Sequence, residues 1–222
     1  MARTINDAIR GSILGATFDQ SDPKTYIQNS LEIQAIVKMI SLFKKYDGFW
    51  LENIRFHLAT INENGDHEPD DGMVLCWIYL AAFSDMFVNH RIFDTVVEQI
   101  CRATHDCDES VNASMEYCRL LHDIFYGHVD KDDILKILPE LDILAGDVPV
   151  DKNVRRVLMA SIWAFVHSND FDSAMINCRE LDGDTESINW IHIVTGTLAG
   201  LYYGIEINDN SEFGYFIKPL MF

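Results

Sequence analysis

Apolar positions recur along most of the chain at helical spacing, and no alternating strand pattern of any length appears. Ile5, Ile9 and Ile13 form one face of a first helix, with Gly11 and Gly15 on another; Thr4 and Asp7 have the spacing of a capping pair. Ile33, Ile36, Val37, Ile40 and Phe43 give a helix over about 30–46, with Asn29 and Glu32 as its cap and Lys44, Lys45 and Gly48 at its end. Further helices are predicted over 50–61, 73–87, 91–104, 110–126 and 130–141, with polar loops at 62–72 and 141–150. Asp132 and Asp133 suit the positive end of the helix that they open. The expectation is an all-α protein of about nine or ten helices in a single-domain orthogonal bundle covering residues 1–222.

The last helix carries the most unusual pattern. Leu181 to Gly204 reads LDGDTESINWIHIVTGTLAGLYYG. Gly196, Gly200 and Gly204 recur every four residues, although glycine costs about 1 kcal/mol against alanine inside a helix. Such a stripe predicts close backbone packing. At the start of this helix, Asp182, Asp184 and Glu186 stand beside Thr185 and Ser187. One reading is capping, with Asp184 as N-cap and Glu186 favoured by the helix dipole. The other is a hard-cation site, because Mg²⁺ and Ca²⁺ bind such oxygens.

Composition narrows the partners. The net charge is −18 and the isoelectric point about 4.6, so nucleic acid and anionic membrane are poor partners. Simple solubility accounts for the charge, and a basic partner protein is compatible with it. Cys76, Cys101, Cys107, Cys118 and Cys178 are odd in number and lie mostly in apolar runs, which fits buried thiols in a reducing compartment. Cys101, His105 and Cys107 invite a metal reading, but no second cluster completes a zinc spacing. The N-terminal residues lack a secretory pattern, and the apolar run from Met73 to Phe83 is short for a bilayer span. The expectation is a cytoplasmic soluble protein. The sequence holds no phosphate-binding glycine loop or Gly-x-Ser-x-Gly turn.

The stretch from Leu181 to Gly204 resembles the C-terminal signature of the ADP-ribosylglycohydrolase family, of the dinitrogenase-reductase-activating type. That family typically carries Gly-Asp-Thr-Asp-Thr and then a helix ending in Ala-Gly-x-x-Tyr-Gly. Val154 to Leu181 is similar to its preceding helix pair, including Trp163-Ala164 and the Phe171/Ala174 step. The first helix resembles the family's N-terminal one, and Asp19 survives from its terminal turn. The resemblance implies an all-α fold and hydrolysis of the bond between ADP-ribose and a protein side chain, assisted by two divalent cations. Such a pair needs several carboxylates to offset its own repulsion.

Departures from the family pattern fall on its functional blocks. Gln28, Asn29 and Ser30 stand where the family has Thr-Asp-Asp, so two metal carboxylates are gone. Glu186 and Ser187 replace Asp and Thr in the C-terminal block; the extra methylene moves a carboxylate by roughly 1.5 Å. Asp71-Gly72 keeps a turn, but Leu75-Cys76 replaces Met-Arg. Lys152-Asn153 replaces Gly-Tyr, and Thr104-His105 echoes a family step. The connection over residues 20–28 is shorter than the family's loop, so part of the pocket wall is expected to be absent.

The resemblance therefore implies Asp19, Asp184 and Glu186 as catalytic candidates, and Asn29, Ser30, Asp71, Lys152 and Asn153 as ligand-binding candidates. It leaves Asp184, Glu186 and Ser187 for one weak Mg²⁺, Ca²⁺ or Mn²⁺, with no metal as the alternative. Three functions stay open: a pseudoenzyme binding an ADP-ribose-like ligand or an ADP-ribosylated protein, an active hydrolase with altered metal use, and an acidic protein-binding decoy whose surface includes the aromatic tail after Ile205.

Overall fold

Thr4 opens the first helix as its spacing predicts: the Asp7 amide donates to Thr4 Oγ1 at 3.3 Å, and the Thr4 amide donates to Asp7 Oδ2 at 2.9 Å. The computed structural model describes residues 3–46, 72–83, 90–138, 151–206 and 212–221. The helix expected at 50–61, the loops at 62–71 and 141–150, and Asp71, Gly48 and Phe222 lie outside the described residues.

Helices α1 (Ile5–Thr17), α2 (Pro23–Asn29) and α3 (Leu31–Tyr46) come first. Helix α2 falls within the expected connection. Its signal is Asp22-Pro23: Asp22 Oδ1 accepts from the Thr25 amide at 3.2 Å, and proline fits the first helical position. Helix α3 is capped by Ser30 rather than Asn29. The Ile33 amide donates to Ser30 Oγ at 3.2 Å, and Asn29 instead closes α2.

The expected helix at 73–87 is broken into a 3₁₀ turn (Gly72–Val74), the short α4 (Leu75–Ile78) and a second 3₁₀ segment (Tyr79–Phe83). Val74, Leu75, Cys76, Ile78, Tyr79, Leu80 and Ala81 are all fully buried. With no polar face, the segment lacks the period that holds a helix in one orientation, and its neighbours dictate the path. The Tyr79 hydroxyl lies 3.0 Å from Ser12 Oγ, and the Cys118 thiol donates to the Ile78 carbonyl at 3.5 Å.

Then follow α5 (His90–Arg102), α6 (Asp108–Tyr126), α7 (Lys131–Ile137), α8 (Val154–Val166), α9 (Phe171–Arg179), α10 (Thr185–Tyr203) and α11 (Glu212–Ile217), the last continued by a 3₁₀ turn over Lys218–Leu220. Helix α6 starts two residues before its expected position, with Cys107 Sγ accepting from the Ser110 amide at 3.3 Å. Cys101 is a core thiol: it donates to the His105 carbonyl at 3.7 Å, and burial pushes its pKa up to about 11. Among the described residues the fold is all-α, with isolated bridge positions at Asn153 and Gly183 and no strand.

The buried hydrophobic side chains form one cluster, and α10 runs through it, buried from Trp190 to Leu201. Its glycine stripe meets that of α1. Gly11 lies against Gly196 and Gly200, and Gly15 against His192 and Gly196, so the two helices run antiparallel. A Cβ on Gly11 or Gly196 would fall inside the other residue's carbonyl group. Close backbone contact explains Gly196 and Gly200, whereas Gly204 ends α10 at φ 76°. On its other sides, α10 packs on α8, α9 and α6: Thr195 Oγ1 donates to the Ser161 carbonyl at 3.3 Å, and the Tyr117 hydroxyl to the Val194 carbonyl at 3.5 Å.

Candidate functional site

Asp184 is the N-cap of α10. The amides of Glu186 and Ser187 donate to its Oδ1 at 3.1 and 2.9 Å, and the Ser187 hydroxyl donates to its Oδ2 at 2.7 Å. Partial burial raises the Asp184 pKa, but the hydrogen bonds from Ser187 and Glu186, aided by the Lys152 charge, outweigh that and hold it below the usual carboxylate value. Ser187 is fully buried.

Lys152 arrives from the segment that leads into α8. Its Nζ lies 2.6 Å from Glu186 Oε2 and 5.9 Å from the centroid of the Trp190 ring, one turn further along α10. The Gly72 amide donates to the Lys152 carbonyl at 2.9 Å, which ties the 3₁₀ turn to the same place. A Cβ on Gly72 would come within 2.7 Å of Val157 Cγ2 and 3.2 Å of the Trp190 ring, so only glycine lets this turn sit so low. Asn153 caps α8, its Oδ1 accepting from the Arg156 amide at 3.1 Å. Thus Lys152, Asn153, Asp184, Glu186 and Ser187 collect where the starts of α8 and α10 meet.

The other candidates stand elsewhere. Asp19 follows α1 and meets α10 at His192, two turns beyond Asp184, which is about 12 Å along the helix axis. Arg179, from the end of α9, clamps Asp19 with Nη2 and with Nε at 3.0 Å. His192 Nδ1 donates to the Ile188 carbonyl at 3.0 Å, so in the neutral ring the Nε2 lone pair faces Asp19 Oδ2 at 3.3 Å, without hydrogen-bond alignment. Burial lowers the His192 pKa, and the Asp19 charge offsets this only in part. Ser30 and the exposed Asn29 sit at the α2–α3 junction, where Ser30 Oγ donates to Glu32 Oε2 at 2.6 Å. Burial first, then the Glu32 charge, push the nearby Tyr26 phenol up to about 12.

Sequence reasoning passed over Arg179 and His192. The available signal was His192 itself, an ionisable residue in the middle of an apolar helix. A cavity of about 430 Å³ lies between Leu14 of α1, Phe18 just after it, the start of α9 at Phe171 and Asp172, and the Gly204–Glu206 segment. It touches none of the expected site residues and shares the Phe18 wall with the Asp19–His192 group, whose imidazole stacks on Phe18 at 6.2 Å.

Architecture and site together define an all-α protein with a glycine-packed helix pair at its centre and a polar corner at one helix start. No protein-family model and no curated protein matches the chain. Among solved structures it is similar to one described as an ADP-ribosylglycohydrolase-related protein complex, at 18% identity and a TM-score of 0.53, over 90% of this chain and 88% of that one. That likeness extends the shared fold over nearly the full length of both chains.

Proposed function

We infer that this protein is a divergent protein of the ADP-ribosylglycohydrolase type with reduced or lost hydrolase activity. It uses the corner at the start of α10 to bind an ADP-ribose-like ligand or an ADP-ribosylated protein. The observation that carries this reading is the Lys152–Glu186 ion pair at 2.6 Å. A divalent cation bound by the C-terminal block would need the same carboxylate, and the ammonium already compensates its charge. Asp184 is committed in the same way, with hydrogen bonds on both oxygens. The donor set that remains for an Mg²⁺ or Ca²⁺ ion is therefore a poor fit, since either cation needs about six or more oxygens. With Gln28, Asn29 and Ser30 in the first block, that block supplies no carboxylate pair to make up the deficit.

Both partners of this pair are half exposed, so the Lys152 ammonium beside the Trp190 ring can exchange Glu186 for a more strongly charged anionic group, such as the diphosphate of an ADP-ribose-like ligand. The similar fold of the ADP-ribosylglycohydrolase-related structure supports the choice of ligand class. Thermal-shift measurements with ADP-ribose, with and without Mg²⁺, test the reading. The expected result is a rise in melting temperature that is independent of Mg²⁺ and is lost in Lys152→Ala. Ligand at a hundred times its Kd stabilises by about 2.7 kcal/mol, which is several degrees for a chain of this size. Magnesium-dependent release of ADP-ribose from a modified protein, abolished by Asp184→Ala, would overturn it in favour of a working hydrolase.

A further inference from the structure

A second group of metal-competent side chains lies at the far end of α6, remote in sequence from the corner just described. His122 and Asp123 occupy the last turn of that helix. Gly127 ends it in the left-handed region, at φ 73°, and turns the chain back on itself. The turn is pinned by the His128 amide, which donates to the Asp123 carbonyl at 2.8 Å. It brings the His128 ring back over the helix end, stacked on Tyr126 at 5.8 Å and 21°. The His122 ring packs beside both, 4.6 Å from Tyr126 and 6.1 Å from His128.

The result is a compact set of donors. Asp123 Oδ1 lies 3.5 Å from His122 Nδ1 and 3.4 Å from His128 Nδ1. One ligand atom from each of the three residues lies within 4.8 Å of the other two. In a tetrahedral zinc site with ligand bonds of about 2.0–2.1 Å, neighbouring donors stand about 3.3–3.4 Å apart. The two His–Asp separations already have that length. Two imidazoles and one carboxylate also form a donor set that selects a borderline cation over Mg²⁺ or Ca²⁺, which prefer oxygen. The helix C-terminus adds the negative end of its dipole.

We propose that His122, Asp123 and His128 form a binding site for a zinc-class divalent cation, with water completing a tetrahedron. Asp123 and His128 are accessible from solvent, with 44% and 62% of their side-chain surface exposed, and His122 forms the inner wall at 15%. The ion would clasp the end of α6 to the turn that leads into α7. This proposal does not depend on the function inferred for the start of α10.

The test uses the full chain, free of any affinity tag and stripped with a chelator, titrated with Zn²⁺ by calorimetry. One ion per chain is expected, with affinity weakened at least about tenfold in both His128→Ala and Asp123→Asn. Zn²⁺ should raise the melting temperature of the wild type and leave His128→Ala unmoved. Co²⁺ in place of Zn²⁺ should give the visible bands of a four-coordinate ion without a thiolate charge-transfer band. Absence of stoichiometric uptake would overturn the proposal, as would uptake unchanged in both variants or uptake abolished by Cys107→Ser. Both substituted side chains are solvent-accessible, and unchanged helical circular dichroism would show that the variants fold.

Discussion

Asp184 carries three hydrogen bonds on two oxygens, and those bonds set how it titrates. They hold its folded-state pKa below the unfolded value of about 3.9, despite the opposing effect of burial. Near that pH the native state binds fewer protons than the unfolded chain. The stabilisation is complete above the unfolded value and is lost as the pH falls through the folded one. Asn caps a helix about as well as Asp but does not ionise. Asp184→Asn should therefore keep near wild-type stability at pH 7 and lose less of it between pH 5 and pH 3, measured by urea unfolding. A loss as steep as that of the wild type would mean that other carboxylates control the acid limb. Asp184→Ala should cost about 1 kcal/mol at neutral pH through loss of the cap. The capping role of Asp184 was readable from its place before a helix, as was the Thr4–Asp7 box. The pairing of Lys152 with Glu186 was not, because 34 positions separate them and only the packing of α8 on α10 joins them.

At the level of elements, the glycine stripe on α10 and its counterpart on α1 make one interface. Replacing Gly196 with alanine sets two effects against each other. Helix propensity favours alanine by about 1 kcal/mol. The new methyl would collide with the Gly11 carbonyl, a backbone group that cannot rotate away. Forcing extra atoms into a packed core costs about 1–3 kcal/mol, and a clash with fixed backbone stands at the upper end of that range, so the clash wins. Gly196→Ala should destabilise the protein by about 2 kcal/mol in chemical denaturation, whereas a gain in stability would refute the close approach of α1 and α10. The stripe was visible in the sequence because glycines at a spacing of four are costly unless another backbone approaches them. Its partner helix was also visible, through Gly11 and Gly15. Helix α2 and the broken 73–87 segment were less legible. Asp22-Pro23 is a local start signal within a stretch that reads as a connection, and the apolar 73–83 run has no period from which to infer its path.

Across the whole molecule, 35 acidic side chains face 17 basic ones. The excess repels itself in the compact state, and salt screens that repulsion over a Debye length of about 10 Å at 0.1 M. The melting temperature should therefore rise between 0.02 M and 0.5 M sodium chloride. A fall would show that ion pairs such as Lys152–Glu186 and the Arg102 group with Glu98, Asp106 and Asp108 outweigh the general repulsion. Among the described residues, no helix is long and apolar enough to cross a membrane.

Local rules reached far into this chain. Helical periodicity determined the all-α class, the caps at Thr4 and Asp184 followed from side-chain chemistry, and the glycine stripe announced a close helix contact. Each is encoded within a few residues, where spacing alone decides which groups meet. Tertiary structure decided which carboxylates are available for chemistry. It paired Glu186 with Lys152, took Asp19 to Arg179 and His192, and left Ser30 with Glu32 at the α2–α3 junction. It also turned His128 back toward His122 and Asp123 through the left-handed Gly127. Such pairings depend on distances between separate helices or on the path of a turn, and a linear pattern of apolar and polar residues does not specify either.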